Sequence, residues 1–241
     1  MGLDIAVGLL ARAVAEGEED EAADWDEAFD ELNALLGEAG HEPHREPRSI
    51  SDDLYFEAQM WGYSGLHRLR RLAAWHALER RLPSPLRPDD DQTEDAVLER
   101  LNSWIDRQRI EPAQGLIGRL LGRGRGKAPF QHLLWHSDCE GFYLPRDFQD
   151  VIVAADIPGR RGADEMVGSS VRLLGECRVL ARAIELPEGI DPEDEALLDA
   201  AEAPGTDGPL WQRYGVEAFC LARLIRGCER SIAAGGVLAF V

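Results

Sequence analysis

The sequence is short of most features that announce a function. No run of about 18 apolar residues occurs, so no segment reads as a transmembrane helix and no membrane partner is expected. The opening MGLDIAVGLLARAVAEGEED has no basic n-region and runs straight into acid, unlike a secretory signal, so a cytoplasmic location is expected. Only four cysteines occur, Cys139, Cys177, Cys220 and Cys228, with no CxxC among them. Their wide spacing inside apolar patterns fits reduced, buried thiols better than disulfides or zinc ligands. Ser64 has no GxSxG elbow around it. The GRGRGK stretch at 122–127 fails the phosphate-loop pattern twice, with Leu121 in place of glycine and Ala128 in place of the hydroxyl residue. There are no internal repeats and no low-complexity blocks.

Positive charge is scarce as well. Lys and Arg total 26 against 45 Asp and Glu, a net charge of −19. The imbalance is regional. Residues 1–60 carry 3 basic and 17 acidic side chains, net −14; residues 61–130 carry 13 and 9, net +4; residues 131–241 carry 10 and 19, net −9. General nucleic-acid binding is not expected of such a chain, because phosphate contacts need a positive face. The basic middle is expected to mate with the acidic ends inside the fold. What remains as partner is a small ligand or a basic protein.

Periodicity places the elements. Gly2–Leu10 reads as a strand running toward a short helix, and Glu16–Glu21 as a solvated acidic loop. From Asp24, apolar residues Trp25, Phe29, Leu32, Leu35 and Leu36 recur at helical spacing with acid opposite. The proline-broken HEPHREPR, residues 41–48, reads as a surface loop; its histidines lack the spacing of a metal site. Leu54–Trp61 alternates as a half-buried strand. A turn at Gly62-Tyr63-Ser64-Gly65 leads into a helix over 66–82, with Ser64 as its N-cap and Arg68, Arg71 and Trp75 along one flank, suited to carboxylates or an anionic ligand.

Beyond residue 82, a capping box at Asp91–Glu94 opens a helix through Ile105, and a short helix follows around 116–121. Phe130–His136 reads as a buried strand, Leu144–Ala154 as helical at first, and Pro158–Gly168 as a loop. Ser169 or Ser170 caps a helix to Ile184, and a short acidic helix spans 193–201. The last helix starts near Leu210 and stops at Gly235-Gly236, before a strand at 237–241. The fold class expected is α+β and predominantly helical: a small mixed or antiparallel sheet with six or seven helices around it. The chain reads as a single domain over residues 1–241, with insertions at 83–92, 156–168 and 186–208.

The stretch richest in chemistry is Pro129–Phe148. An apolar run enters the polar turn Ser137-Asp138-Cys139-Glu140-Gly141, and ionised groups so close to a core must be paired or hydrogen-bonded. Locally the turn fits a capping box, Ser137 with Glu140, an Asx-turn at Asp138 and positive φ at Gly141. A zinc centre from His132, His136 and Cys139 is short of ligands, and a hard-metal site would need Asp138, Glu140 and Asp4. Cys139 is a poor nucleophile between two carboxylates, which raise a thiol pKa. No metal and no cofactor is assigned.

Four pieces of the chain resemble a family of uncharacterised phage and bacterial proteins that open MGLDI and contain SDCEG. They are Met1–Ile5; the Gly62–Gly65 turn with its arginines; Pro129–Gly141 with Asp147-Phe148; and Gly235-Gly236-Val237 with Phe240. The family pattern has Glu and an aromatic where this chain has His132 and His136. The family has no established activity, so the resemblance implies a site and no reaction. The expected site gathers Asp4, Tyr63, Ser64, Arg68, Ser137, Asp138 and Glu140 into one polar pocket, with Asp138, Glu140 and Cys139 as catalytic candidates. Whether the chain is an enzyme stays open. A ligand-binding or accessory protein is the first reading. The alternatives are a hydrolase using Asp138 and Glu140, with or without a metal, and an acidic inhibitor or immunity-type protein acting on a basic partner.

Overall fold

A computed structural model describes residues 3–87, 95–97, 99, 100, 103, 129–135, 141–154, 157 and 166–241. Its centre is a six-stranded mixed sheet in the order β2-β1-β6-β3-β5-β4. The strands are β1 (Asp4–Val7), β2 (Phe56–Gln59), β3 (Phe142–Leu144), β4 (Ile152–Val153), β5 (Met166–Ser169) and β6 (Leu238–Phe240). All pairs are antiparallel except β3 with β5. Among the described residues eight α-helices surround it: α1 (Leu9–Glu16), α2 (Glu19–Glu38), α3 (Gly62–Glu79), α4 (Gln131–Leu134), α5 (Ser170–Ala183), α6 (Glu195–Glu202), α7 (Leu210–Arg213) and α8 (Gly215–Ala234). The α+β, mainly helical class read from the sequence is the class observed.

Strand alternation sends side chains to two separate cores. Leu144, Ile152, Val167, Val237 and Ala239 face α1 and α2, meeting Leu10, Phe29, Leu32, Leu35 and Leu36. Ile5, Val7, Tyr143, Leu238 and Phe240 face the other way, into the larger core of α3, α5, α6 and α8. The acidic N-terminal helices therefore form a layer of their own on one face of the sheet.

Several elements depart from the sequence expectation. Phe130–Trp135, the described part of the expected strand 130–136, is not a strand: residues 131–134 form one helical turn, entered through Phe130 at φ 58°. An apolar run of this length does not distinguish a strand from a buried helical turn, and here backbone N–H groups find a side-chain carboxylate instead of a neighbouring strand. Leu144 ends strand β3 rather than starting a helix, and β5 begins at Met166 in the stretch expected to be loop. The acidic loop at 16–21 shrinks to Gly17-Glu18 between two helices. The last helix is broken at Tyr214, whose backbone is not helical. Ser64 does not cap α3. Trp61 holds the cap position in the left-handed region, and the Ser64 hydroxyl donates to its carbonyl at 3.0 Å. Ser169, in contrast, caps α5 as expected, accepting from the Arg172 N–H. Cys177, Cys220 and Cys228 are free and buried. Most of the helices expected over 91–105 and 116–121, and the basic loop at 122–127, lie outside the described residues.

Gly65 marks the closest approach of α3 to the chain around it. A Cβ there would lie 2.2 Å from the Met60 carbonyl oxygen and 2.6 Å from the Cys220 sulfur. Gly37, inside α2, meets nothing within 4 Å. Gly65→Ala should therefore lower stability by about 1–3 kcal/mol through overpacking. Gly37→Ala should raise it by about 0.5–1 kcal/mol through reduced chain entropy. Thermal unfolding of the two variants side by side checks both signs.

Candidate functional site

The α2 helix carries nine carboxylates and no basic residue in the sequence EDEAADWDEAFDELNALLGE. Its apolar residues Ala22, Phe29, Leu32, Leu35 and Leu36 are spent on the core, so the acid falls on the opposite side. Asp20, Asp24, Glu27 and Glu31 follow one another at spacings of four, three and four, which stacks them along one stripe. A 20-residue helix is about 30 Å long, so nine carboxylates give one per ~3.3 Å of axis, close to the ~3.4 Å per phosphate of a single DNA strand. Asp26 is paired with Arg48 at 2.6 Å. Glu19, Asp20, Asp24, Glu27, Asp30 and Glu31 make no ion pair with any described residue. At the entrance to the helix, the hydrogen bond with Glu21, and then its negative charge, push the Glu18 carboxyl up.

Described arginines of the basic middle have partners near home. Among the described residues its arginines pair at home: Arg71 with Asp95 at 2.6 Å, and Arg100 with Glu79. Asp95 also accepts from the Trp75 indole at 3.0 Å, so the flank expected to meet a carboxylate does meet one. Arg68 is buried and donates to the backbone carbonyls of Leu86 and Arg87 at 3.4 and 2.7 Å. The expectation that middle and ends would mate rests in large part on Arg107, Arg109, Arg119, Arg123, Arg125 and Lys127, which lie outside the described residues.

The α2 face is fixed in place by the 41–48 segment, which is no simple surface loop. Both polar groups of the Asn33 amide bond the His44 backbone, at 2.6 and 3.0 Å. The His44 ring and the Glu46 carboxylate, both buried, meet at 2.7 Å. Glu46 also accepts from the Val237 N–H at 2.9 Å, which ties the segment to the start of β6. Beside the acid stripe, a cleft of about 300 Å³ opens between α2 and the sheet, walled by Trp25, Ala28, Leu32, Leu35, Phe142 and Val167, with Glu31 at its lip.

The residues singled out from the sequence are placed as follows. Asp4 pairs with Gln59 across β1 and β2, and its backbone exchanges two hydrogen bonds with Val241 at 3.0 Å. One of its carboxylate oxygens is buried and has no hydrogen-bond partner among the described residues. Tyr63 and Ser64 sit in the first turn of α3, which follows directly from β2, and Met60 bonds back to Leu3. Gly141 accepts from Phe240 in β6, so it lies two strands, about 10 Å, from the β1 end that carries Asp4. Ser137, Asp138, Cys139 and Glu140 lie outside the described residues, as does His136.

Sequence reasoning missed the polar knot around α4. The Glu176 carboxylate accepts the N–H groups of His132 and Leu133 at 3.2 and 2.9 Å. Ser169 N–H donates to His132 Nδ1 at 3.0 Å, so Nε2 carries the proton and donates to the Gln149 carbonyl at 3.1 Å. Burial pushes that imidazole down to about 4, which keeps it neutral. Tyr143 OH donates to the His132 carbonyl and Arg70 Nε to that of Leu133. This is the structural work of a histidine that the zinc reading had considered as a ligand; no group of three or more candidate ligands for a metal occurs among the described residues.

Fold and surface together define an α+β protein with an acidic helical layer on one face of its sheet. The family described as "Putative DNA-mimic protein" matches residues 1–240, and the chain belongs to that family. No curated protein and no solved structure shows significant similarity to it. The match corrects the partner reading drawn from net charge. That reading set general nucleic-acid binding aside; a family described by imitation of DNA places negative charge within nucleic-acid systems instead, and a basic protein partner is compatible with it. Among the described residues no helix is long and apolar enough to cross a membrane.

Burial pushes the Glu176 carboxyl up to about 7 from its ordinary 4.5. A raised folded-state value means that the folded protein holds its proton more tightly than the unfolded chain. The contribution is complete below about pH 4.5 and is lost as pH rises through about 7, a few kcal/mol at most. Glu176→Gln, which cannot titrate, should flatten the dependence of unfolding free energy on pH between those values, measured by denaturant titration.

Proposed function

We propose that the chain acts by offering the α2 face to the DNA-contacting surface of a DNA-binding protein, in place of a phosphate backbone. The observation that carries this reading is the density of carboxylates along the strapped helix, nine at about 3.3 Å of axis each, of which Glu19, Asp20, Asp24, Glu27, Asp30 and Glu31 make no ion pair with any described residue. Family membership supports it independently. Lys and Arg side chains that neutralise phosphates along one DNA strand would find carboxylates at similar axial spacing here. Carboxylates three and four residues apart repel by about 0.2–0.5 kcal/mol per pair, and a fold does not gain from keeping them on one surface. Functional surfaces often carry such a cost. This is the acidic-inhibitor alternative made specific, and it asks for no catalytic group.

The test is displacement. Purified DNA-binding proteins of several docking types are each bound to a fluorescent duplex, and the chain is titrated in at low and physiological salt. Wild type should release duplex from at least one of them, less readily as salt rises. The combined Asp24→Asn, Glu27→Gln, Asp30→Asn and Glu31→Gln variant should compete at least about tenfold less well, about 1.4 kcal/mol. Its melting temperature should hold or rise, because like charges three and four apart are relieved. Failure of wild type to displace duplex from any of them, or equal competition by the variant, would defeat the reading.

A further inference from the structure

We propose that the partners this face selects are DNA-binding proteins that drive an apolar side chain between base pairs while gripping the backbone. The inference rests on the phosphate-imitating reading of α2 and adds the cleft beside it. A row of carboxylates alone attracts any basic surface and loses its hold as salt rises. Proteins that bend DNA through the minor groove bring basic residues together with an inserted Phe, Leu, Ile or Met. Here the two receiving features adjoin. Glu31 belongs both to the acid stripe and to the lip of the cleft, while Trp25, Ala28, Leu32, Leu35, Phe142 and Val167 form its walls.

The boundary between charge and cleft is built, not incidental. The Trp25 indole N–H donates to Glu21 at 3.3 Å, which orients the ring toward the carboxylates. Trp25 lies 6.3 Å from Phe29, and Phe29 lies 5.5 Å from Phe142, so an aromatic row runs from the acid face into the wall of the cleft. At about 30 Å³ per water-sized unit, a volume near 300 Å³ takes one large apolar side chain with room to adjust. A second copy of this chain is a poor occupant, since it would bring its own net charge of −19 against the same acid face.

The decisive measurement is direct binding by titration calorimetry at physiological ionic strength. Three probes serve: an HMG-box domain with its apolar wedge, the same domain with the wedge changed to Ala, and a helix-turn-helix domain that reads the major groove without a wedge. The HMG-box domain should bind at least about tenfold more tightly than its wedge-less form, with the negative heat-capacity change of apolar burial. Ala28→Trp, which fills the cleft from α2, should erase that difference while sparing weak, salt-sensitive binding. Ala28→Leu does the same more gently if the larger residue disturbs folding. Equal binding of wedged and wedge-less probes, or indifference to both Ala28 variants, overturns this inference and leaves the phosphate-imitating reading standing. Binding of none of the three probes, even at low salt, takes down both. A dimer in sedimentation that Ala28→Trp dissolves would assign the cleft to a second copy and overturn it too.

Discussion

The Glu176 carboxylate takes the two N–H groups that open the short turn at residues 131–134, and from that contact the centre of the molecule is organised. A buried peptide group without a partner is expensive, and this turn has no neighbouring strand to supply one. Four other elements supply partners instead. Tyr143 comes from β3, Ser169 from the end of β5, Arg70 from α3, and the Gln149 carbonyl from the segment between β3 and β4. The hydroxyls of Ser170 and Ser231 extend the network, 2.8 Å apart and within reach of the Tyr143 and Gly236 carbonyls. The parallel pair β3–β5, the helices α3, α5 and α8 and the last strand are thereby fixed relative to one another. Fully satisfied buried networks of this kind specify one arrangement of a core where apolar packing alone tolerates several.

The acidic layer obeys a different logic. Nothing in α2 needs nine carboxylates to fold, and its first-turn acids, Glu19, Asp20 and Glu21, are the ones the helix dipole favours. Beyond the first turn, Asp24, Glu27, Asp30 and Glu31 make no ion pair with any described residue and lie where the dipole does not help. The strap from His41 to Arg48 offsets this by anchoring α2 through Asn33, Asp26 and the buried His44–Glu46 contact. Structural polar chemistry is thus concentrated on one side of the sheet, around Glu176 and α3. The acidic face of α2 lies on the other, so a change in one can leave the other intact.

Much of this was readable from the residues. The period of 3.6 in α2, the strands at 4–7, 56–59 and 238–240, the cap at Ser169 and the stop at Gly235 all follow from local rules. So does the regional charge, since −14 in the first 60 residues has to lie on some surface. Helical periodicity with acid opposite the apolar stripe already determines that the surface is one face of α2. Attention nonetheless went to Ser137–Gly141, because carboxylates beside an apolar run look like a site, whereas a solvated acidic helix looks ordinary.

Only the tertiary structure decided the rest, for reasons of long-range pairing. Whether Phe130–Trp135 became strand or helix depended on a carboxylate more than forty residues away, which no local pattern carries. Whether the arginines of α3 would neutralise the acidic ends depended on which side of the sheet α3 occupied; it lies opposite α2, with Asp95 and the backbone of 84–87 already in reach. The cleft beside Trp25 exists because β3, β5 and β6, drawn from three distant parts of the chain, end together under α2. Composition determined that the protein would be acidic. The packing of α2 and α3 on opposite faces of one sheet decided that the acid of α2 and the arginines of α3 would not meet.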